Sequence, residues 1–313
     1  MNPVPDLRTN DPVTFGNVGL LVGGESAERE VSLNGGRAVF DALQRKRVNT
    51  EMFDGSEALF EAIGAGRIDR VFNLMHGPGG EDGAIQGALQ LMHIPITGSG
   101  LLGSAVSMDK VRSKWIWERQ GINTPPFFLL REEGELADEF LEEWGLPLFV
   151  KPAGLGSSIG ISKVEHLDEL PAAVALAREY DDKVIVEPAI NGDEYFAGII
   201  GDLVLPLIRI ETPRSFYDYT AKYESDDTGY FCPCGLSPDV ENSMQALSLE
   251  AFEALECSGW GRVDFIMDEA GKAWFLEVNT TPGMTNHSLV PQAAEQIGID
   301  FDELVWRILE TSL

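Results

Sequence analysis

Between Gly261 and Pro291 the chain reads GRVDFIMDEAGKAWFLEVNTTPGMTNHSLVP, and no other stretch constrains the fold as strongly. Two short apolar runs joined by a turn carry Arg262, Asp264, Glu277 and Asn279. Side chains two apart on a strand share a face. Arg262 and Asp264 therefore lie on one face, as do Glu277 and Asn279. Pairing the two runs gathers two carboxylates, an amide oxygen and a guanidinium. Hard oxygen ligands at such a place suit Mg²⁺, an ion that usually also holds substrate phosphates.

The N-terminal part alternates strand-like and helical stretches, which indicates an α/β fold with a parallel sheet. GNVGLLVGG (16–24), VFNLMHG (71–77) and IPITGSG (94–100) read as strands ending in glycine-rich turns. Ser26 is placed to cap a helix containing Glu28 and Val31. Sites in such sheets gather past the carboxyl ends of strands, where Glu28 and His76 fall. A polar amphipathic stretch runs from Ser107 through Gln120 and ends at Gly121. PLFVKPAGLGSSIGISKV (147–164) reads as two β runs around a glycine loop, and VIVEPAI (184–190) as another strand. Asn191-Gly192 is a domain joint. Strands near 194–210, a polar loop at 212–232, and helices near 238–258 and 300–312 complete the reading.

A length of 313 residues suggests about two domains, or three small ones. The net charge of −28 disfavours nucleic-acid and anionic-membrane roles. It fits an ordinary acidic cytosolic protein or adaptation to salt. Three cysteines (Cys232, Cys234, Cys257) argue against a disulfide framework. MNPVPDLRTNDP has neither the basic flank nor the apolar core of a signal peptide. No apolar run approaches the roughly 18 residues that span a bilayer. A soluble, cytoplasmic protein is expected.

Single motifs leave two readings open. Lys151 opens KPAGLGSSIG, a loop whose N–H groups can wrap a polyphosphate, though the Walker order is missing. It is otherwise a glycine hairpin with an exposed lysine. Lys110 in SMDK is a phosphate ligand or a solvated helix lysine. Glu187 and Glu194 either contact a nucleotide or end strands in solvent. FYDYTAKYESDDTGY (216–230) is a mobile lid or a plain surface loop. Glu28 either favours a helix N-terminus or holds a substrate ammonium. His76 is a core histidine or part of a site in HGPGGEDG.

Taken in order, GGESAEREVSLNGG (23–36), HGPGGEDGAIQG (76–87), PITGSGLLGSAVSMDK (95–110), VKPAGLGSSIG (150–160), FYDYTAKY (216–223) and the 261–291 segment resemble the D-alanine–D-alanine ligases of the ATP-grasp superfamily. The resemblance covers nearly the whole chain after the leader. It implies an N-terminal Rossmann-like substrate domain (1–103), a central ATP-grasp subdomain (104–190) and a C-terminal one (191–313) with a lid at 212–232. It implies an enzyme that phosphorylates one D-alanine from ATP and lets the amine of a second attack the acyl phosphate. D-alanyl-D-alanine then feeds peptidoglycan synthesis. The implied partners are two D-alanines and ATP, in a homodimer, without nucleic acid or membrane.

By matching positions, Asp264, Glu277 and Asn279 resemble ligands of two Mg²⁺ or Mn²⁺ ions. Lys110, Lys151 and Lys222 resemble phosphate ligands. Glu187, Ile190 and Glu194 resemble the adenine and ribose contacts. Glu28, with His76 nearby, would hold the first ammonium. Arg262 and the N–H of Gly283 would stabilise the oxyanion. Ser288 and the N–H of Leu289 would bind the second carboxylate. Ser157 and Tyr223 would complete a hydrogen-bonded set with Glu28, and tyrosine at 223 favours an amine over a hydroxyl nucleophile. Leu155 stands where relatives often carry glutamate. Pro188 replaces a longer side chain in the adenine hinge, keeping its carbonyl but not an N–H. The alternatives are a carboxylate–amine or D-alanine–D-lactate ligase of the same fold, and a nucleotide-binding regulator without turnover.

Overall fold

The computed structural model describes residues 4–130, 136, 138–156, 158–212, 228–285 and 288–313. Strands β1 (Asn17–Val22), β2 (Asn49–Asp54) and β3 (Arg70–Asn73) form a parallel sheet in the order β2-β1-β3. Helices α1 (Arg29–Arg45) and α2 (Ser56–Gly64) make the crossovers that parallel pairing demands. The run at 94–100, expected as a strand, adds only a single bridge between Val71 and Ile96. Pro95 offers a carbonyl but no N–H to a ladder, and Gly98 turns away at a φ of 86°.

Three helices follow: α3 (Ala84–Leu91), α4 (Leu101–Met108) and α5 (Lys110–Gln120). Asp109 caps α5 by accepting the Arg112 N–H at 3.1 Å, and Gly121 ends it in the left-handed region. The second sheet holds β4 (Phe128–Leu130), β5 (Leu148–Pro152), β6 (Ser162–Val164) and β7 (Val184–Pro188), in the order β4-β7-β5-β6. Its pairs are all antiparallel.

The third sheet is antiparallel, with β8 (Gly192–Ile200), β9 (Leu203–Val204), β10 (Ile208–Glu211), β11 (Gly229–Phe231), β12 (Trp260–Asp268) and β13 (Ala273–Asn279). Its order is β11-β10-β8-β12-β13, with β9 paired to β8. One face buries Ala197, Val263 and Phe265 against Phe252 of the helix Pro238–Ala254 and Trp117 of α5. The other face sends Phe196, Ile208 and Ile210 into a core shared with β1, α1 and the helices Leu289–Gln296 and Phe301–Glu310. Burying each such side chain contributes roughly 1.5–3 kcal/mol. This common core packs the parallel strands β1 and β3 against β8, β10 and Trp260 of β12. Among the described residues, no helix is long and apolar enough to cross a membrane.

Candidate active site

The loops after β1 and β3 supply the first group of side chains. Ser26 accepts the Glu28 N–H at 3.2 Å, so it closes the turn before α1. Glu28, not the expected Ser26, occupies the cap position and is buried. His76 is buried beside it. Burial pushes the His76 imidazole below its ordinary range, with the Glu28 charge and a backbone bond at Thr281 opposing and Arg262 reinforcing. The ring is therefore neutral at pH 7.

Sequence reasoning gave Glu81 no role, yet the fold brings it into the same cluster. Its carboxylate accepts the Gly77 N–H at 2.6 Å. Burial raises its pKa to about 8, and the charges of Glu28 and Glu277 add to the shift. The glycines of this loop answer first to the chain itself. A Cβ on Gly80 would lie 2.0 Å from the Met75 carbonyl oxygen. The Gly80 carbonyl accepts from Asn73 at 2.9 Å and Gln86 at 2.8 Å.

The second group lies on one face of β12 and β13. The register sets Arg262 opposite Asn279 and Asp264 opposite Glu277, so all four expected side chains meet. Arg262 holds Asp264 through two bonds of 2.7 and 2.6 Å and lies 4.8 Å over the Phe196 ring. Asn279 accepts the Thr281 N–H at 3.0 Å. The alternation breaks just beyond Asp264, where the next pair is Phe265 with Phe275 and Leu276 is the extra residue of a bulge.

Lys110 of α5 approaches this face, and Lys151 stands on β5 of the second sheet. Lys110 reaches the Leu155 carbonyl at 2.5 Å and Glu277 at 2.9 Å, joining the glycine loop to β13. Leu155 thus contributes its backbone where its side chain cannot. Lys151 pairs with Glu187 at 2.6 Å. Burial alone would raise the Glu187 carboxyl, but the charges of Lys114 and Lys151 outweigh it and hold the pKa at about 2. Ile190 lies between β7 and β8. Glu194 sits on the Asp264 face of β8, opposite Ile266.

The third group follows β13. Ser288 precedes the helix starting at Leu289, and its hydroxyl accepts the Thr285 N–H at 2.9 Å. A Cβ on Gly283 would meet that hydroxyl at 3.0 Å. Helix α1 presses on this loop through Gly35, whose Cβ would come 3.3 Å from the Met284 nitrogen. Ser157, Lys222 and Tyr223 lie outside the described residues, as does most of the expected lid. β10 and β11 pair on either side of that segment.

The donor set suits a hard divalent ion. Among the described residues, no three His, Cys, Asp or Glu side chains form a metal cage. Mg²⁺ is held typically by one or two carboxylates plus substrate phosphates, and Asp264, Glu277 and Asn279 offer that kind of partial shell. Each carboxylate is already balanced by a cation, Arg262 or Lys110, whose place a metal can take.

A parallel N-terminal sheet followed by two antiparallel sheets, with lysines and carboxylates facing one another between them, defines the ATP-grasp class. The family model for the C-terminus of D-ala D-ala ligases matches residues 116–310, and that for the N-terminus matches residues 50–99. The D-alanine–D-alanine ligase of Alkalilimnicola ehrlichii is 52% identical over 304 residues, covering 97% of this chain and 96% of its own. The crystal structure of the Bacillus anthracis ligase complexed with ATP is 32% identical. It superposes with a TM-score of 0.83, covering 95% of this chain and 97% of its own. The VanG D-Ala:D-Ser ligase of Enterococcus faecalis is 30% identical, with a TM-score of 0.78, over 95% of this chain and 99% of its own. The chain belongs to the D-alanine–D-alanine ligase family.

Proposed function

We propose that this protein joins two D-alanines into D-alanyl-D-alanine at the expense of ATP, for peptidoglycan precursor synthesis in the cytoplasm. Near-full-length identity to D-alanine–D-alanine ligases supports the reaction, and the ATP complex of the B. anthracis relative supports the co-substrate. The observation that carries the reading is the register of β12 and β13, which sets two carboxylates, an amide and an arginine on the face that Lys110 reaches.

The residues divide the work by charge. Glu28, beside neutral His76, receives the ammonium of the first D-alanine. Lys110, Lys151 and Lys222 take the phosphates, while Ile190 and Glu194 take the adenine and ribose. Glu187, whose carboxylate is held by Lys114 at 2.8 Å and Lys151 at 2.6 Å, completes the adenine contact. Asp264, Glu277 and Asn279 would hold two Mg²⁺ or Mn²⁺ ions. When bound, the ions shield the charge of the polyphosphate as a carboxylate approaches it.

Phosphoryl transfer from ATP gives D-alanyl phosphate and ADP. Attack by the unprotonated amine of the second D-alanine gives a tetrahedral oxyanion, which loses the amine proton to solvent and collapses to the dipeptide as inorganic phosphate leaves. Arg262 and the Gly283 N–H face that charge, in a preorganised arrangement. Ser288 and the Leu289 N–H hold the second carboxylate, with Ser157 and Tyr223 completing the set around Glu28. We assign the substrate domain to residues 1–103, the two ATP-grasp subdomains to 104–190 and 191–313, and the assembly to a homodimer.

Phosphate release from ATP, measured across D- and L-alanine, D-serine and D-lactate, tests the reading. Release with D-alanine but not L-alanine, giving a dipeptide by mass, is expected. ATP turnover indifferent to D-alanine refutes it.

A further inference from the structure

Lys114 carries a buried charge that none of the roles above uses. It lies one turn beyond Lys110 on α5 and is 1% exposed. In its helix a lysine among charged neighbours would ordinarily reach water. Here its ammonium donates to the Thr124 hydroxyl at 2.7 Å and the Pro125 carbonyl at 3.0 Å. It also stands 2.8 Å from Oε1 of Glu187, whose other oxygen holds Lys151 at 2.6 Å. Thr124 in turn donates to the Phe275 carbonyl at 2.8 Å, and the Phe275 N–H donates to Asn123 at 2.8 Å. A chain of polar contacts therefore runs from Lys151 through Glu187 and Lys114 to β13, the strand that bears Glu277 and Asn279.

The charges in this chain decide its meaning. Lys151 and Glu187 alone would form a neutral pair, and a lysine so neutralised attracts a polyanion weakly. Lys114 brings the buried triad to a net charge of +1. We infer that Lys114 is a positioning residue for nucleotide binding: it cancels the Glu187 carboxylate that fixes Lys151, so that Lys151 keeps its orientation while its charge stays available to phosphate. Desolvation lowers the Lys114 pKa to about 8, with the Glu187 charge opposing, so the ammonium persists at pH 7. Burying a third ionised group is costly, and a packing role alone would be better filled by an apolar side chain. The inference rests on the reading that ATP binds here.

Calorimetric titration of ATP with MgCl₂, without D-alanine, tests it on the full chain. Lys114→Met makes the triad neutral and should weaken ATP binding about tenfold or more, leaving the KM for D-alanine unchanged. Lys114→Gln, also neutral but keeping an N–H for Thr124 or Pro125, should weaken ATP binding by a similar factor. Adenosine, which carries no phosphate, should bind both variants as it binds wild type. A merely structural lysine would lower thermal stability and the affinity for both ligands together. Should Lys114→Met fail to fold, Lys114→Gln decides alone. Weakened ATP binding with adenosine affinity retained supports the inference. Unchanged ATP affinity in either folded variant, or an equal loss of ATP and adenosine binding, overturns it. Failure of the wild-type protein to bind ATP refutes the functional reading instead.

Discussion

Replacing Glu81 by glutamine should flatten the fall of stability with rising pH. The folded carboxyl titrates at about 8, raised from 4.5 by burial and then by the Glu28 and Glu277 charges. Between those values the folded chain holds a proton that the unfolded chain releases. Its contribution is fully present below pH 4.5 and is lost as pH rises through 8. One proton of difference corresponds to about 1.4 kcal/mol per pH unit. From pH 5.5 to 7 the wild type should lose about 2 kcal/mol through this group alone. Glutamine keeps an oxygen for the Gly77 N–H, resembles the protonated acid in shape, and does not titrate. His76 contributes in the opposite sense, because its buried ring is neutral while the unfolded imidazole takes up a proton, but it does so in both proteins and cancels from the difference. Urea unfolding at pH 5.5 and 7, in wild type and Glu81→Gln, measures the comparison. The variant should gain about 2 kcal/mol relative to wild type between the two pH values. Parallel pH dependences would refute the reasoning, since they would mean that Glu81 ionises in the folded chain much as it does in the unfolded one.

Three further outcomes follow from the geometry. Lys110→Met removes the contact to both the Leu155 carbonyl and Glu277; the KM for ATP should rise by about an order of magnitude in steady-state assays. Arg262→Lys loses the two-bond grip on Asp264, and kcat should fall on the order of a hundredfold with the melting temperature little changed. Gly80→Ala drives a methyl group into the Met75 carbonyl and should cost about 1–3 kcal/mol in urea unfolding.

Some parts of the site are readable in the chain because local rules govern them. Arg262 and Asp264 alternate with buried Val263 and Phe265, so a strand was the economical reading. Lys151 announces itself by the glycine loop that follows. Other parts depend on partners distant in sequence. Lys114 sits in KVRSKWIWERQ, where nothing local distinguishes a buried lysine from a solvated one. Its environment comes from Thr124 and from Glu187 on β7. Strand β2 carries no local signal, because most of its side chains are exposed and show no apolar alternation. Glu81 stands among loop glycines with no local mark of burial, and the fold of that loop turns it inward.

The bulge at Leu276 shows where alternation ceases to suffice. Counting back by twos from Asn279 passes through Glu277 to Phe275, which strict pleating would place on the site face. Phe275 is instead fully buried on the opposite face, with its ring 5.4 Å from Phe265 and 6.0 Å from Trp117. One extra residue reconciles the two demands. Without it, either Phe275 would leave the core or Glu277 would enter it, and an ionised carboxylate in such surroundings costs several kcal/mol. FLEVN contains no glycine or proline to announce the irregularity. Its cause is tertiary: Trp117 and Phe265 claim the aromatic ring, while Lys110 claims the carboxylate on the other side. The carboxylate pair is thus set by a competition between core and cleft that only the assembled sheet resolves.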